Sequence, residues 1–127
     1  MEIEINSVQT IDGKKESIRQ IGIGKIENYE KGTILSWKIP NEPLQYHMTI
    51  LENKILLKNQ NQTMTFELGK TTKSRIQTQY GRFDISVITN HIEVIRENNI
   101  IQRIYLVYEI SIEGTNSYQN EIEIRIK

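Results

Sequence analysis

The sequence predicts an all-β chain whose antiparallel strands follow one another as a meander and close into a barrel. Three observations carry this. The 127 residues include no alanine and 24 isoleucines. Alanine is the best helix former, whereas β-branched side chains lose rotamer freedom in a helix and fit a pleated surface. Apolar residues recur with period two through most of the chain, as they do on a half-buried strand. Turn residues interrupt that alternation at short intervals, with no 3.6-residue apolar stripe between them.

The elements follow in order. Ile3 and Ile5 alternate with acids, and Asp12-Gly13 is a turn dipeptide leading to a strand around Ile18 to Ile26. Gly22 and Gly24 interrupt that strand, which marks sharp coiling or a close backbone approach. Leu35, Trp37 and Ile39 precede Pro40-Asn41-Glu42-Pro43, a segment that cannot continue a ladder. Leu44, Tyr46, Met48 and Ile50 lead into the Glu52-Asn53-Lys54 turn, and Ile55 and Leu57 into the Asn59-Gln60-Asn61 turn. Met64, Phe66 and Leu68 make the next strand, and Ile76, Thr78 and Tyr80 share a face before a corner at Tyr80-Gly81-Arg82. Phe83, Ile85 and Val87 alternate with polar residues until the parity slips near Asn90, where a bulge hands the apolar role to Ile92 and Val94. Glu97-Asn98-Asn99 turns the chain into the strand carrying Ile104, Leu106, Tyr108, Ile110 and Ile112. Gly114-Thr115-Asn116 then turns it into the last strand, with Ile122, Ile124 and Ile126 on one face. This is one domain, residues 1–127, of eight to ten strands. Closure removes the edges that such a sheet would expose, although a two-sheet sandwich also serves the pattern.

Charge and composition narrow the function classes. Lys plus Arg and Asp plus Glu number 16 each, so there is no basic field to concentrate phosphate backbones, and nucleic acid is not expected as a partner. Cysteine is absent, which excludes disulfides, thiolate catalysis and cysteine-ligated metals. The Met1-Glu2-Ile3-Glu4 start carries acids where a secretory signal has cations, and the longest apolar run, Ile104 to Tyr108, is far below the roughly 20 residues that span a bilayer. The expectation is a soluble cytoplasmic protein that does not enter a membrane.

Several isolated features have a plain structural explanation. His47 and His91 lack metal-site spacing, and Gly22-Ile23-Gly24 lacks the helix and charge that cradle a phosphate. Asn61-Gln62-Thr63 fits a glycosylation sequon, which has no meaning without a secretory route. Glu93, Glu97, Glu109, Glu113, Glu121 and Glu123 fall on outer faces, as a solvated surface requires. Phe66, Phe83, Leu106, Tyr108 and Ile110 are expected in the core, with Arg103, Glu109 and Glu123 exposed. The sequence calls for no cofactor and offers no catalytic set. The hydroxyls of Thr78, Tyr80, Thr89 and Tyr108 fall on otherwise apolar faces and need backbone, water or ligand partners, and Lys58 can snorkel toward the barrel mouth. Trp37 lines the same end or simply packs.

Over Leu44 to Ile126 the chain resembles the YwiB-like family of uncharacterised bacterial proteins. The pattern is Met64-Thr65-Phe66 before Gly69, Thr78-Gln79-Tyr80-Gly81-Arg82-Phe83, Thr89, and Ile104 to Tyr108 with Ile110 after it. Where the family shows Arg-x-Gly, this chain has Lys58-Asn59-Gln60, and Ile76 replaces an aromatic residue. The resemblance implies a calycin-like (lipocalin-like) barrel and no established activity. Two functions follow: a non-enzymatic binder of a small apolar or amphipathic ligand, held by Lys58, Thr78, Tyr80, Thr89 and Tyr108, or a filled-core structural or interaction module. The sequence leaves the oligomeric state open.

Overall fold

The computed structural model describes residues 1–112 and 117–127, so Glu113 and the expected Gly114-Thr115-Asn116 turn lie outside the described residues. The described residues form ten strands: β1 (Glu2–Ile11), β2 (Lys14–Tyr29), β3 (Gly32–Lys38), β4 (Gln45–Ile50), β5 (Ile55–Lys58), β6 (Gln62–Phe66), β7 (Thr71–Thr78), β8 (Gly81–Glu97), β9 (Ile100–Ile112) and β10 (Ser117–Ile126). Each pairs antiparallel with its sequence neighbours, and β10 pairs with β1, from Ile3↔Ile126 to Thr10↔Gln119, to close the barrel.

Turn chemistry sets the registers. Asp12 (φ 50) and Gly13 (φ 79) form a two-residue turn that fixes Ile11 opposite Lys14. Asn98 (φ 54) and Asn99 (φ 64) do the same for Glu97 and Ile100. Paired positive φ values match the right-handed twist of the strands, and Asp, Asn and Gly tolerate them best. The bulge expected near Asn90 is present. Thr89 pairs with Tyr108 and His91 with Val107, so Asn90 is the extra residue that keeps Ile92 and Val94 on the inner face.

The inner face is packed through the middle of the barrel by Ile3, Leu35, Met48, Ile50, Ile55, Phe66, Ile85, Ile101, Ile104, Leu106 and Ile124. Trp37 joins them, stacked on Tyr46 with ring centroids 5.3 Å apart. Its backbone explains Gly24: a Cβ there would lie 2.0 Å from Ser36 O and 2.9 Å from Trp37 Cα. The interruption at Gly24 is therefore a close backbone approach.

Three facing expectations need correction. Phe83 is 42 % exposed. It has inward parity opposite Ile76, but it lies near the β7–β8 hairpin tip, beyond Ile85, from which β8 pairs with β9 among the described residues. Leu68 is exposed because β6 ends at Phe66, after which Leu68 meets Thr89 in an isolated parallel bridge. Arg103, Glu109 and Glu123 are half-buried, and for Arg103 and Glu123 the reason is that charges on the outer wall cover one another. Arg103 binds Glu123 at 2.6 Å and Glu93 at 2.8 Å and lies over the Tyr105 ring, while Arg125 binds Glu123 at 2.9 Å. Ile18 and Ile23 are also exposed: Ile18 lies on the β1–β2 hairpin ahead of the stretch of β2 that pairs with β3, and Ile23 has outward parity beside Lys38.

Candidate functional site

Alternation along β8 and β9 brings Thr89 and Tyr108 face to face on the inner wall. Thr89 is 1 % exposed, and its Oγ1 is the single buried side-chain polar atom among the described residues with no hydrogen-bond partner. Tyr108 is 9 % exposed and packs edge-on against Phe66, with ring centroids 4.7 Å apart. Burial pushes the Tyr108 phenol up to about 12. Two hydroxyls are thus held in an apolar interior, and buried polar groups there normally have partners.

The pairing continues across the sheet. Tyr108 opposes Asn120 on β10, Asn120 opposes Gln9 on β1, and Gln9 opposes Glu16 on β2. These partners share the inner face, so Thr89, Tyr108, Asn120 and Gln9 form one polar rung. On one side of it lies the largely apolar row Ile92, Leu106, Ile122, Ser7 and Ile18, and on the other Val87, Ile110 and Tyr118. Sequence reasoning found the Thr89 and Tyr108 hydroxyls but missed Asn120 and Gln9. Each lies in the same parity class as the isoleucines of its strand, and that was the available signal.

The other residues expected at the site lie elsewhere. Thr78 Oγ1 donates to Gly81 O at 3.2 Å and accepts from Tyr80 N at 3.1 Å, so the β7–β8 turn uses its hydroxyl. Tyr80 caps that turn and is 83 % exposed. Lys58 does not reach the mouth: opposite His47 and Thr63 it has outward parity, on the outer wall. His47 also faces outward, with Nδ1 3.0 Å from Ser36 Oγ, and His91 lies 3.6 Å from Glu93. Among the described residues no three His, Asp or Glu side chains form a metal-binding group.

Two concavities open at the barrel ends. Beside the β7–β8 turn, Ile76, Thr78, Gln79, Tyr80, Phe83 and Ile112 line an apolar space of about 380 Å³. At the opposite end a wider space of about 910 Å³ has Ile50, Ile55, Ile92 and Val94 on its floor. Its rim mixes cations and acids, with Lys31, Lys54 and Arg96 near Glu30 and Glu52.

The family model for a domain of unknown function, DUF1934, matches residues 3–124. The chain belongs to this family. Among solved structures, it is similar to the ywiB protein from Bacillus subtilis at 14 % identity and a TM-score of 0.75, covering 99 % of this chain and 90 % of that one. Comparison with curated proteins finds no match. The likeness establishes that the DUF1934 chain shares the ywiB fold, as the sequence resemblance implied. No described helix is long and apolar enough to cross a membrane.

Proposed function

We propose that this DUF1934 chain is a non-enzymatic binder of a small amphipathic molecule, held on the inner wall where Thr89 faces Tyr108. The observation that supports this is the unpartnered Thr89 hydroxyl opposite the desolvated Tyr108 phenol. A ligand group bonded to both would remove the cost of burying the Thr89 hydroxyl alone, roughly 1–3 kcal/mol for an unsatisfied polar group. Its apolar part would lie against the inward-facing Ile92, Leu106 and Ile122 of the neighbouring row. Lys58 has outward parity and Tyr80 stands at a turn tip, so this reading rests on Thr89 and Tyr108.

The test is a thermal-shift screen of fatty acids, fatty alcohols, isoprenoids, hemes and flavins. A ligand at 100 times its dissociation constant adds about 2.7 kcal/mol, several degrees for a chain of this size. Hits are repeated with Thr89→Val and Tyr108→Phe, which should abolish the shift. The proposal fails if nothing shifts the midpoint or if hits survive both substitutions. A filled-core interaction module is the second reading, supported by the dense packing from Phe66 to Ile124. Pull-down of a partner by the same variants would then favour it.

A further inference from the structure

We infer that the outer wall across β3, β4 and β5 carries a binding site for a small oxyanion, a phosphomonoester, built on His47, Lys58 and Gln60 and separate from the interior site proposed above. Cross-strand pairing assembles it. Ser36 on β3 stands opposite His47 on β4, and His47 opposite Lys58 on β5, all with outward parity. The turn after β5 then brings Gln60 back beside β4, where its Oε1 accepts from Gln45 N at 3.1 Å. Together with Ile34 and Thr49, these side chains of β4, β5 and the turn line a concavity of about 420 Å³.

Hydrogen bonding decides the sign of the ligand, because the amide oxygens of the turn are already used. Gln60 Oε1 is taken by Gln45 N, and Asn59 Oδ1 by Asn61 N at 2.8 Å and Gln62 N at 3.0 Å. What each of these two amides has left to offer is its NH2 group. His47 Nδ1 lies 3.0 Å from Ser36 Oγ, and with the serine hydroxyl donating, Nε2 carries the proton. Lys58 adds an ammonium with three donors and belongs to none of the ion pairs among the described residues. No carboxylate lines the concavity. Two acids come near in register or sequence, and both are engaged: Glu27, opposite Ile34, by Lys25 at 2.8 Å and the Tyr29 hydroxyl, and Glu42 by Gln20 Nε2 at 3.2 Å. Lys38, opposite Gln45, adds a second cation at the rim. N–H donors gathered around an ammonium, with no carboxylate competing, attract an anion. A phosphate group suits them best, since its three terminal oxygens can take bonds from Lys58, His47 and Gln60 at once. Half-buried Ile34 offers its carbon skeleton an apolar surface.

The experiment is titration of the isotope-labelled full chain with phenyl phosphate, benzoate and phenol at constant ionic strength, followed by amide chemical shifts. Phenyl phosphate should bind saturably, about tenfold tighter than benzoate, with shifts centred on His47, Lys58 and Gln60, and phenol should not bind there. Lys58→Met and Gln60→Glu, both at exposed positions and checked for folding by circular dichroism, should each weaken phenyl phosphate about tenfold, the worth of one charge-assisted hydrogen bond. Lys73→Met, elsewhere on the outer wall opposite Ser86, should leave it unchanged. The inference is overturned if phenyl phosphate does not saturate, if benzoate binds as tightly, or if both site variants keep full affinity. Shifts centred on Thr89 and Tyr108 instead would also overturn it, while supporting the interior site.

Discussion

At Thr89 a hydroxyl is buried without a partner, and its removal provides a sensitive test of the interior. Valine has nearly the same shape, so Thr89→Val in the ligand-free protein should raise the unfolding free energy by about 1 kcal/mol, measured in urea. A loss of similar size would mean that the hydroxyl is satisfied. Tyr108 supplies a pH test. Its folded pKa of about 12 lies above the ordinary 10, so its contribution is full below pH 10 and is lost as pH rises through 12. Tyr108→Phe should remove that alkaline loss. Glu4 acts in the opposite sense. Hydrogen bonds from Lys127, Asn6 and Arg19 hold its carboxyl down to about 2, against 4.5 ordinarily. Its stabilisation is complete above pH 4.5 and lost as pH falls through 2. The stability difference between wild type and Glu4→Gln should therefore shrink over that window in acid titration of the urea midpoint.

At the scale of elements, the bulge in β8 and the β2–β3 crossing carry the clearest consequences. Deleting Asn90 would shift the rest of β8 by one residue and turn Ile92 and Val94 outward, because a one-residue slip exchanges faces. Loss of cooperative unfolding is expected; a variant that melts like wild type would show that β8 tolerates the other register. Gly24→Ala should be severely destabilising, above about 3 kcal/mol, because the contact it makes is with backbone. Gly22→Ala, whose new methyl lies 3.1 Å from Trp37 Cδ1 and 3.3 Å from Lys38 O, should cost much less, since its neighbours need give by only a few tenths of an ångström. Phe66→Ala should cost about 3–5 kcal/mol, and Phe83→Ala under about 1, since Phe66 is 0 % exposed and Phe83 lies exposed near a hairpin tip. Equal losses at the two phenylalanines would contradict the facing described.

At the scale of the whole molecule, closure joins the two ends of the sequence. β1 and β10 are paired along their lengths, and Lys127 Nζ binds Glu4 at 2.6 Å. Such distant pairing makes loop closure costly before any contact rewards it, so folding should take milliseconds to seconds in stopped-flow fluorescence of Trp37. A chain ending at Ile112 would leave both β1 and β9 with open edges. It should aggregate, and a soluble, cooperatively folded product would show that closure is dispensable.

Among the described residues, the sequence by itself determined the strands, the turns between them, the bulge at Asn90 and the meander order, because period-two alternation and turn chemistry are local properties. Through parity it also brought Thr89 and Tyr108 to the inner face. Parity tells inside from outside only where a strand lies over the packed core, and only the tertiary structure fixes where that core ends. Phe83 and Ile18 have inward parity and are exposed, one near the β7–β8 hairpin tip and the other ahead of the stretch of β2 that pairs with β3. Lys58 seemed able to snorkel to the mouth from its strand end, but its pairing with His47 and Thr63 turns it outward. The polar rung depends on four strands aligned in one register, from Gln9 to Tyr108, a separation bridged only when the barrel closes.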